Sequence, residues 1–578
     1  MVQQSVIESP AVNGQVLQLA NAKQRGTAAS AKDNYRTPDK RARLTLLLRW
    51  QSGAVLRGSH LTERALWTFC LSAPSNGQGW ADTSLVGGYQ VPTPNLDTLA
   101  AHGVLLTQHY TMQTCTPSRA ALLTGRYPIR MGLHHDVIIP AQPGGLDPSI
   151  PTLAERLRSL GYKTHAVGKW NLGYSSVKYT PTRRGFDTFF GNYNVAKYYF
   201  VHELKFRNNC GRDLWDNEEP VKDADGVYDT DLLTDRAVDI ISKHDTDKRR
   251  FCGNHVSRAH VSHKHESRTY ILTLLPFQQY SELQLGVGMS SVTGAVDALD
   301  EAIGRVVEAL HSRGMLATSI IVFCSDNGGI PWGTFSNTGS NWPLRGVKGT
   351  LWEGGIRVPA LVWSPLLQPG SHVVLPRLAH LVDWLPTLYS AAGGNVSDLG
   401  TIDGINLWPA LSSAKSSSTA RWPRSELLLN IDLASGRSGY RDGSHKLVLL
   451  TSPKSQLPDP FKAPALQRHI PTPGGVPEFE SEQAAMDHLD RLMKSSLTWK
   501  TLKQLYGDEA CRTNVPLGWR QQAAVVAKLS EKMKSYSNVA LPPKPIEVDP
   551  NGLPSVNNCV WARWEDTAQT KNHSCPCP

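Results

Sequence analysis

From about residue 90 onward, amphipathic stretches alternate with short, evenly apolar ones. In 151–160, Leu153, Leu157 and Leu160 share one helical face, with Pro151 at the start and Gly161 at the end. This spacing predicts a helix, and a short strand over 162–167 after it. The unit recurs further on. Val296, Leu299, Ile303, Val306, Val307 and Leu310 fall on one face of a second helix, which Gly314 ends. The run 319–324 is continuously apolar and reads as a strand buried on both faces. Such alternation predicts an α/β fold, a mostly parallel sheet sandwiched by helices. Functional loops of open α/β sheets gather at the carboxyl ends of strands. Gly168-Lys169 follows the first predicted strand, and Ser325-Asp326-Asn327-Gly328-Gly329 the second.

The flanks differ. Residues 1–60 are polar and basic without sustained periodicity, and read as a disordered or foreign lead. The main domain is placed at 61–415. A Pro/Ser-rich joint over 405–425 precedes two short apolar runs, 426–430 and 446–450, expected as strands of a smaller C-terminal α+β domain over 416–578. The Pro-rich stretch 452–475 reads as loop.

Composition changes this picture little. The 578 residues are 40% hydrophobic and 19% charged, an ordinary globular balance. The formal net charge is +10, but residues 1–50 hold eight Lys/Arg against three Asp/Glu, so half the excess sits in the lead. No nucleic-acid partner is expected, because no recognised binding motif accompanies the charge. Nine cysteines do not make a disulfide framework, yet Cys511, Cys559, Cys575 and Cys577 crowd the C-terminal end. Sequons at Asn395-Val396-Ser397 and Asn572-His573-Ser574 suit the same secretory setting. No apolar signal-peptide core stands in the first thirty residues, and no stretch approaches the ~18 apolar residues of a membrane span.

The densest chemistry lies in Cys115-Thr-Pro-Ser118-Arg119-Ala-Ala-Leu-Leu-Thr124-Gly125-Arg126. A cysteine precedes a Pro-Ser turn, and an apolar helix begins at once. A helix N-terminus offers unpaired N–H groups to an anion. Arg119 adds a permanent charge whose forked donors fit sulfate or phosphate. A lone cysteine reads as a small buried hydrophobe; this context favours a reactive one.

This stretch resembles the sulfatase signature, Cys-x-Pro-Ser-Arg followed by Leu-Thr-Gly. The resemblance runs over roughly 76–450 and is nearest to arylsulfatases of the arylsulfatase B (N-acetylgalactosamine-4-sulfatase) type. It is carried further by Pro94-Asn-Leu-Asp97, Pro181-Thr-Arg-Arg-Gly-Phe-Asp187, Asn341-Trp-Pro-Leu-Arg-Gly346, Leu351-Trp-Glu-Gly-Gly355 and Asp383-Trp-Leu-Pro-Thr387. It implies an alkaline-phosphatase-like fold and hydrolysis of sulfate esters on a polysaccharide or aryl alcohol. It implies that Cys115 is oxidised to formylglycine by a formylglycine-generating enzyme, and that the aldehyde hydrate attacks sulfur. A serine would stop at a stable sulfate ester, whereas a hemiacetal sulfate can collapse and expel sulfate. Carried over by position, Arg119, Lys169 and Lys348 hold sulfate and balance charge. Asp326 and Asn327, with Cys115 and Asn76, bind one Ca²⁺, a cation suited to hard oxygen ligands. His260 falls at the place of a substrate acid. Family members are lysosomal or secreted.

Three departures set an alternative beside this reading, a pseudo-sulfatase that binds sulfated sugar without turnover. Where the family has an Asp-Asp pair before Gly79-Trp80, this chain has Asn76-Gly77. Gly168-Lys169-Trp170-Asn171 has asparagine where the family has histidine. Residues 251–280 change composition abruptly, with His255, His260, His263 and His265 among Ser, Arg and Lys, and read, like 1–75, as foreign or frame-shifted sequence. A phosphatase or phosphodiesterase of the same superfamily would favour a Ser or Thr nucleophile, against Cys115.

Overall fold

The structure is a computed structural model that describes residues 3–8, 67–73, 78–88, 91–244, 268–274, 291–330, 339–367, 373–413, 422–450, 523–566, 574, 575 and 577. In chain order the strands are β1 (Gln3–Glu8), β2 (Trp67–Ala73), β3 (Val104–Tyr110), β4 (Tyr162–Gly168), β5 (Thr188–Gly191), β6 (Glu203–Phe206), β7 (Asn209–Arg212) and β8 (Trp215–Asp216). They continue with β9 (Glu219–Pro220), β10 (Arg268–Leu274), β11 (Ser319–Ser325), β12 (Arg357–Trp363), β13 (Val373–His380), β14 (Glu426–Asp432), β15 (Arg437–Asp442) and β16 (His445–Leu450). The helices that matter here are α1 (Pro94–Ala101), α2 (Cys115–Thr124), α3 (Leu153–Ser159), α4 (Asp229–Lys243), α5 (Ser291–Ser312), α6 (Glu353–Ile356), α7 (Trp384–Ala391) and α8 (Ala523–Ser537).

A ten-stranded sheet runs in the order β13-β3-β12-β11-β2-β10-β4-β5-β8-β9. Its centre, β11-β2-β10-β4-β5, is parallel throughout. β12 runs antiparallel to both β11 and β3, so β3 points the same way as the parallel block. The fold is therefore α/β with a mostly parallel main sheet, as the alternation of segments predicts.

Helices cover both faces. α2, α3 and α7 pack in one core cluster, and α1, α4 and α5 in another. β11 separates them: Ile320, Val322 and Cys324 point into the first cluster, Ile321 and Phe323 into the second. Each fully buried Ile, Val or Phe side chain contributes ~1.5–3 kcal/mol, which is why this run is apolar at every position. The predicted face of α5 is the buried one, and Gly314 ends the segment at φ +66. α3 begins at Leu153, two residues after Pro151. Thr152 is its N-cap: the Thr152 hydroxyl accepts from the Glu155 N–H and the Glu155 carboxylate accepts from the Thr152 N–H. A reciprocal cap satisfies two orphan donors, which proline at N1 cannot do.

A second sheet, β1-β16-β15-β14, is antiparallel throughout. α8 lies against it, with Leu529 and Met533 in the same core cluster as Tyr440 and Leu447. Three segments expected to be foreign have places in these sheets, Trp67–Ala73 among them as β2 between β11 and β10. Gln3–Glu8 pairs with the open edge of β16, Val6 opposite Leu447. Arg268–Leu274 fills the ladder between β2 and β4, with Ile271 opposite both Phe69 and His165. Composition alone misplaced them because ladder hydrogen bonds come from backbone, and Thr, Tyr, Ile and Leu suit a central strand. The other expectations for 9–66 and for 452–475, like Cys511 and Asn572, lie outside the described residues. Among the described residues, no helix is long and apolar enough to cross a membrane.

Candidate active site at the carboxyl edge of the sheet

Four chain crossings meet at one edge of the main sheet. β3, β4 and β11 end there, and β12 begins there. β3 leads through Thr111–Thr114 into Cys115, the first residue of α2. β4 ends at Gly168, beside Lys169, and β11 at Ser325, beside Asp326 and Asn327. The turn ahead of α6 and β12 carries Lys348. Parallel direction, not proximity in sequence, gathers these side chains.

The gathered groups are close. The Lys348 Nζ lies 3.3 Å from the Cys115 Sγ. The Asn327 Oδ1 lies 3.6 Å from the same sulfur. Arg119, one turn into α2, donates from Nη1 to the Lys169 carbonyl at 2.5 Å, and its Nε stands 3.6 Å from the Asp326 Oδ2. Cys115, Arg119, Lys169, Asp326 and Asn327 are each at most 4% exposed. The Lys169 Nζ and both Asp326 carboxylate oxygens lack a hydrogen-bond partner among the described residues. Buried polar groups are normally paired, so these atoms are open to a partner other than the described residues. Burial pulls the Lys169 ammonium down to about 8; the charge of Cys115 opposes this, while Arg119 adds to it. Burial also lowers Arg119, and Asp326 offsets it.

Local packing explains the placement. Thr114, the N-cap of α2, makes no side-chain cap bond, so the helix opening keeps its donors. Gly328 passes so near the start of α6 that a Cβ would sit 1.8 Å from the Gly354 carbonyl oxygen. Only glycine lets the loop after Asp326 approach α6 this closely. Buried Asn341 clasps them: its Oδ1 accepts from the Gly329 N–H at 2.8 Å, and its Nδ2 donates to the carbonyls of Gly329 and Gly346. The Lys348 N–H reaches the Gly329 carbonyl at 3.2 Å. Asn341 lies inside a matched phrase, but its role as a clasp was not readable, since it touches residues 12 and 5 positions away through the fold.

Asn171 does not face the sulfur in hydrogen bonding. Its Oδ1 accepts from the Thr116 hydroxyl at 3.1 Å and its Nδ2 donates to the Ile138 carbonyl at 3.0 Å. Asn76 and His260 lie outside the described residues. The described donors suit a hard cation: an unsatisfied buried carboxylate at Asp326 and an amide oxygen at Asn327. No cluster of three or more His, Cys, Asp or Glu side chains placed to hold a metal occurs among the described residues.

Comparison with known proteins adds the family. The family model described as Sulfatase matches residues 75–394. Arylsulfatase J of Mus musculus is 33% identical over 518 residues, spanning 86% of this chain and 81% of its own length. Arylsulfatase A of Bos taurus is 30% identical over 424 residues, 67% of this chain and 78% of its own. N-acetylgalactosamine-6-sulfatase of Homo sapiens is 32% identical over 355 residues, 58% of this chain and 63% of its own. Among solved structures, that of Ps i-CgsB superimposes with a TM-score of 0.59 at 23% identity, over 83% of this chain and 94% of that one. At that identity it speaks for the fold.

Proposed function

The chain belongs to the sulfatase family, and on that premise we propose that it hydrolyses sulfate esters of carbohydrate or aryl alcohols at Cys115. The observation that carries this reading is the Cys115 sulfur held between the Lys348 ammonium at 3.3 Å and the Asn327 amide oxygen at 3.6 Å. Converted to formylglycine, position 115 would supply a hydrated aldehyde, one hydroxyl to displace the alcohol at sulfur and the other to expel sulfate.

The chain's own groups do the rest. Arg119, Lys169 and Lys348 bring three positive charges against the single carboxylate of Asp326. Such an excess beside buried groups favours an anion in the gap. Lys348 stands beside the attacking atom and holds the sulfate oxygens against it. Lys169, buried and without a hydrogen-bond partner among the described residues, meets negative charge as the S–O bond to the alcohol breaks. Arg119 is pinned by the Lys169 carbonyl and Asp326, so its position is set before substrate arrives. His260 is assigned as the acid that protonates the leaving alcohol. A divalent cation, Ca²⁺ by family resemblance, would be held by Asp326, Asn327 and the group at 115, with Asn76 as a further oxygen. Bound there, it would polarise the sulfate oxygens.

The Cys210–Cys577 and Cys559–Cys575 disulfides support an oxidising compartment. The exposed sequon at Asn395 supports the same. We read the protein as lysosomal or secreted, with a formylglycine-generating enzyme as partner. The deciding experiment is mass spectrometry of the Cys115 peptide from eukaryotic expression, paired with sulfate release from an aryl sulfate. The thiol-to-aldehyde change is expected as a loss of about 18 Da, with activity lost in Cys115→Ala. Turnover that survives Cys115→Ala sinks the mechanism. A converted residue without turnover would turn the reading to the sugar-binding alternative.

A further inference from the structure

The second sheet reaches the active-site edge through a closed circuit of hydrogen bonds. On β14, the Asn430 Nδ2 donates to the His134 carbonyl at 2.9 Å. The same carbonyl accepts from the Gln113 Nε2 at 3.0 Å. Gln113, two residues before Cys115, accepts at its own carbonyl from the Gly349 N–H at 2.8 Å. The Gly349 carbonyl accepts in turn from the Arg437 Nη1 at 3.0 Å. Arg437 stands on β15, opposite Asp432, two residues from Asn430 on β14. The circuit thus starts and ends on one hairpin and threads the residue after Lys348 and the turn before Cys115. Gln113, His134 and Asn430 are buried.

The Lys348 turn needs such a restraint. Gly346 and Gly349 flank Lys348 at φ +94 and +83, conformations in which glycine supplies the freedom. Gly349 has nothing within 4 Å of where a Cβ would stand, so side-chain packing does not hold it. Its two backbone bonds, to Gln113 and to Arg437, do. We propose that Arg437 is a positioning residue: through the Gly349 carbonyl it sets the Lys348 ammonium against the side chain at position 115. The proposal deepens the sulfatase reading and rests on it.

The test compares Arg437→Met, Arg437→Lys and Lys446→Met in the full chain. Lys446 docks the second sheet through Glu353 and does not touch Gly349. One readout is kcat and KM on an aryl sulfate. The other is calorimetric binding of inorganic sulfate to each variant in a Cys115→Ala background, which needs no turnover. Arg437→Met is expected to lower kcat/KM by ~10–100-fold and to weaken sulfate binding several-fold, the scale of a displaced positioning group. Arg437→Lys, which keeps a donor, should recover most of both. Lys446→Met should lower the melting temperature yet leave kcat/KM within ~3-fold below it, since Gly349 keeps its donor. The proposal is overturned by an Arg437→Met protein that matches the parent in both readouts. It is equally overturned if Arg437→Met and Lys446→Met lose activity in parallel with stability and lysine gives no rescue, or if the parent binds no sulfate. A parent that binds sulfate but releases none would fail the hydrolytic reading alone, and the sulfate comparison would still decide the role of Arg437.

Discussion

Asn171 stands where the family resemblance implies histidine, and its surroundings say what it does instead. Its φ is +53, in the left-handed region that asparagine tolerates better than most residues. The side-chain oxygen takes the Thr116 hydroxyl and the amide nitrogen gives to Ile138, so both ends are spent on structure. Asn171→Ala should therefore cost ~1–3 kcal/mol of stability, read by urea unfolding, through an unpaired carbonyl and a strained backbone. A cost near zero would mean that the clasp is idle. Lys169 is the opposite case, a buried ammonium with no hydrogen-bond partner among the described residues. Lys169→Met should keep the fold and lower kcat/KM on an aryl sulfate by ~10²–10³-fold, the scale of one lost electrostatic donor. An unchanged rate would remove Lys169 from the site.

At the level of elements, the site is a matter of strand ends and the turns that follow them. Three strands of common direction deliver Cys115, Lys169 and Asp326, and the turn before an antiparallel one delivers Lys348. Asn341 ties two of these turns together. Asn341→Ala should loosen both and lower kcat/KM by ~10–100-fold, as a shift of about 1 Å at a reacting centre does. Comparing kcat with KM checks this, because a loss confined to KM would mean that only substrate capture depends on the clasp. The cation site we propose would draw on the same turns. With one described carboxylate, Asp326, the affinity for Ca²⁺ should be weak, in the ~10⁻⁴–10⁻³ M range of sparsely charged sites. Calorimetry that finds tight binding would show other ligands completing the cage.

For the whole molecule, one buried carboxylate joins the two sheets. Glu353, at the start of α6, pairs with Lys446 at 2.8 Å and Arg441 at 3.7 Å from the second sheet, and with Arg357 at 3.5 Å from the first. Tyr110 donates to it at 2.6 Å. Burial pushes the carboxyl up, but Lys446, Arg441 and Arg357 together outweigh it and hold it well below the usual range. A depressed folded-state value means stability that is fully present above the unfolded value near 4.5 and lost as pH falls below it. Glu353→Gln should cost ~3–5 kcal/mol at neutral pH, since three buried cations lose their counter-charge. Urea midpoints of parent and variant should converge as pH drops from about 5 towards 3. A gap that does not narrow would show that the pair is not ionised as drawn.

The sequence by itself determined the periodic and the local. Evenly apolar β11, the buried face of α5 and the cysteine at a helix opening are readable because each is written in consecutive or helically spaced residues. The family phrases placed Arg119, Lys169, Lys348, Asp326 and Asn327 in advance for the same reason. Only the tertiary structure decided that these groups converge, since they lie on separate crossings of one sheet. It also decided that Arg268–Leu274 is a central strand, that Asn171 is committed to Thr116 and Ile138, and that Arg437 closes on Gly349. Such facts depend on strand direction and on backbone carbonyls, and every residue carries the same carbonyl, so composition does not record which one is bound.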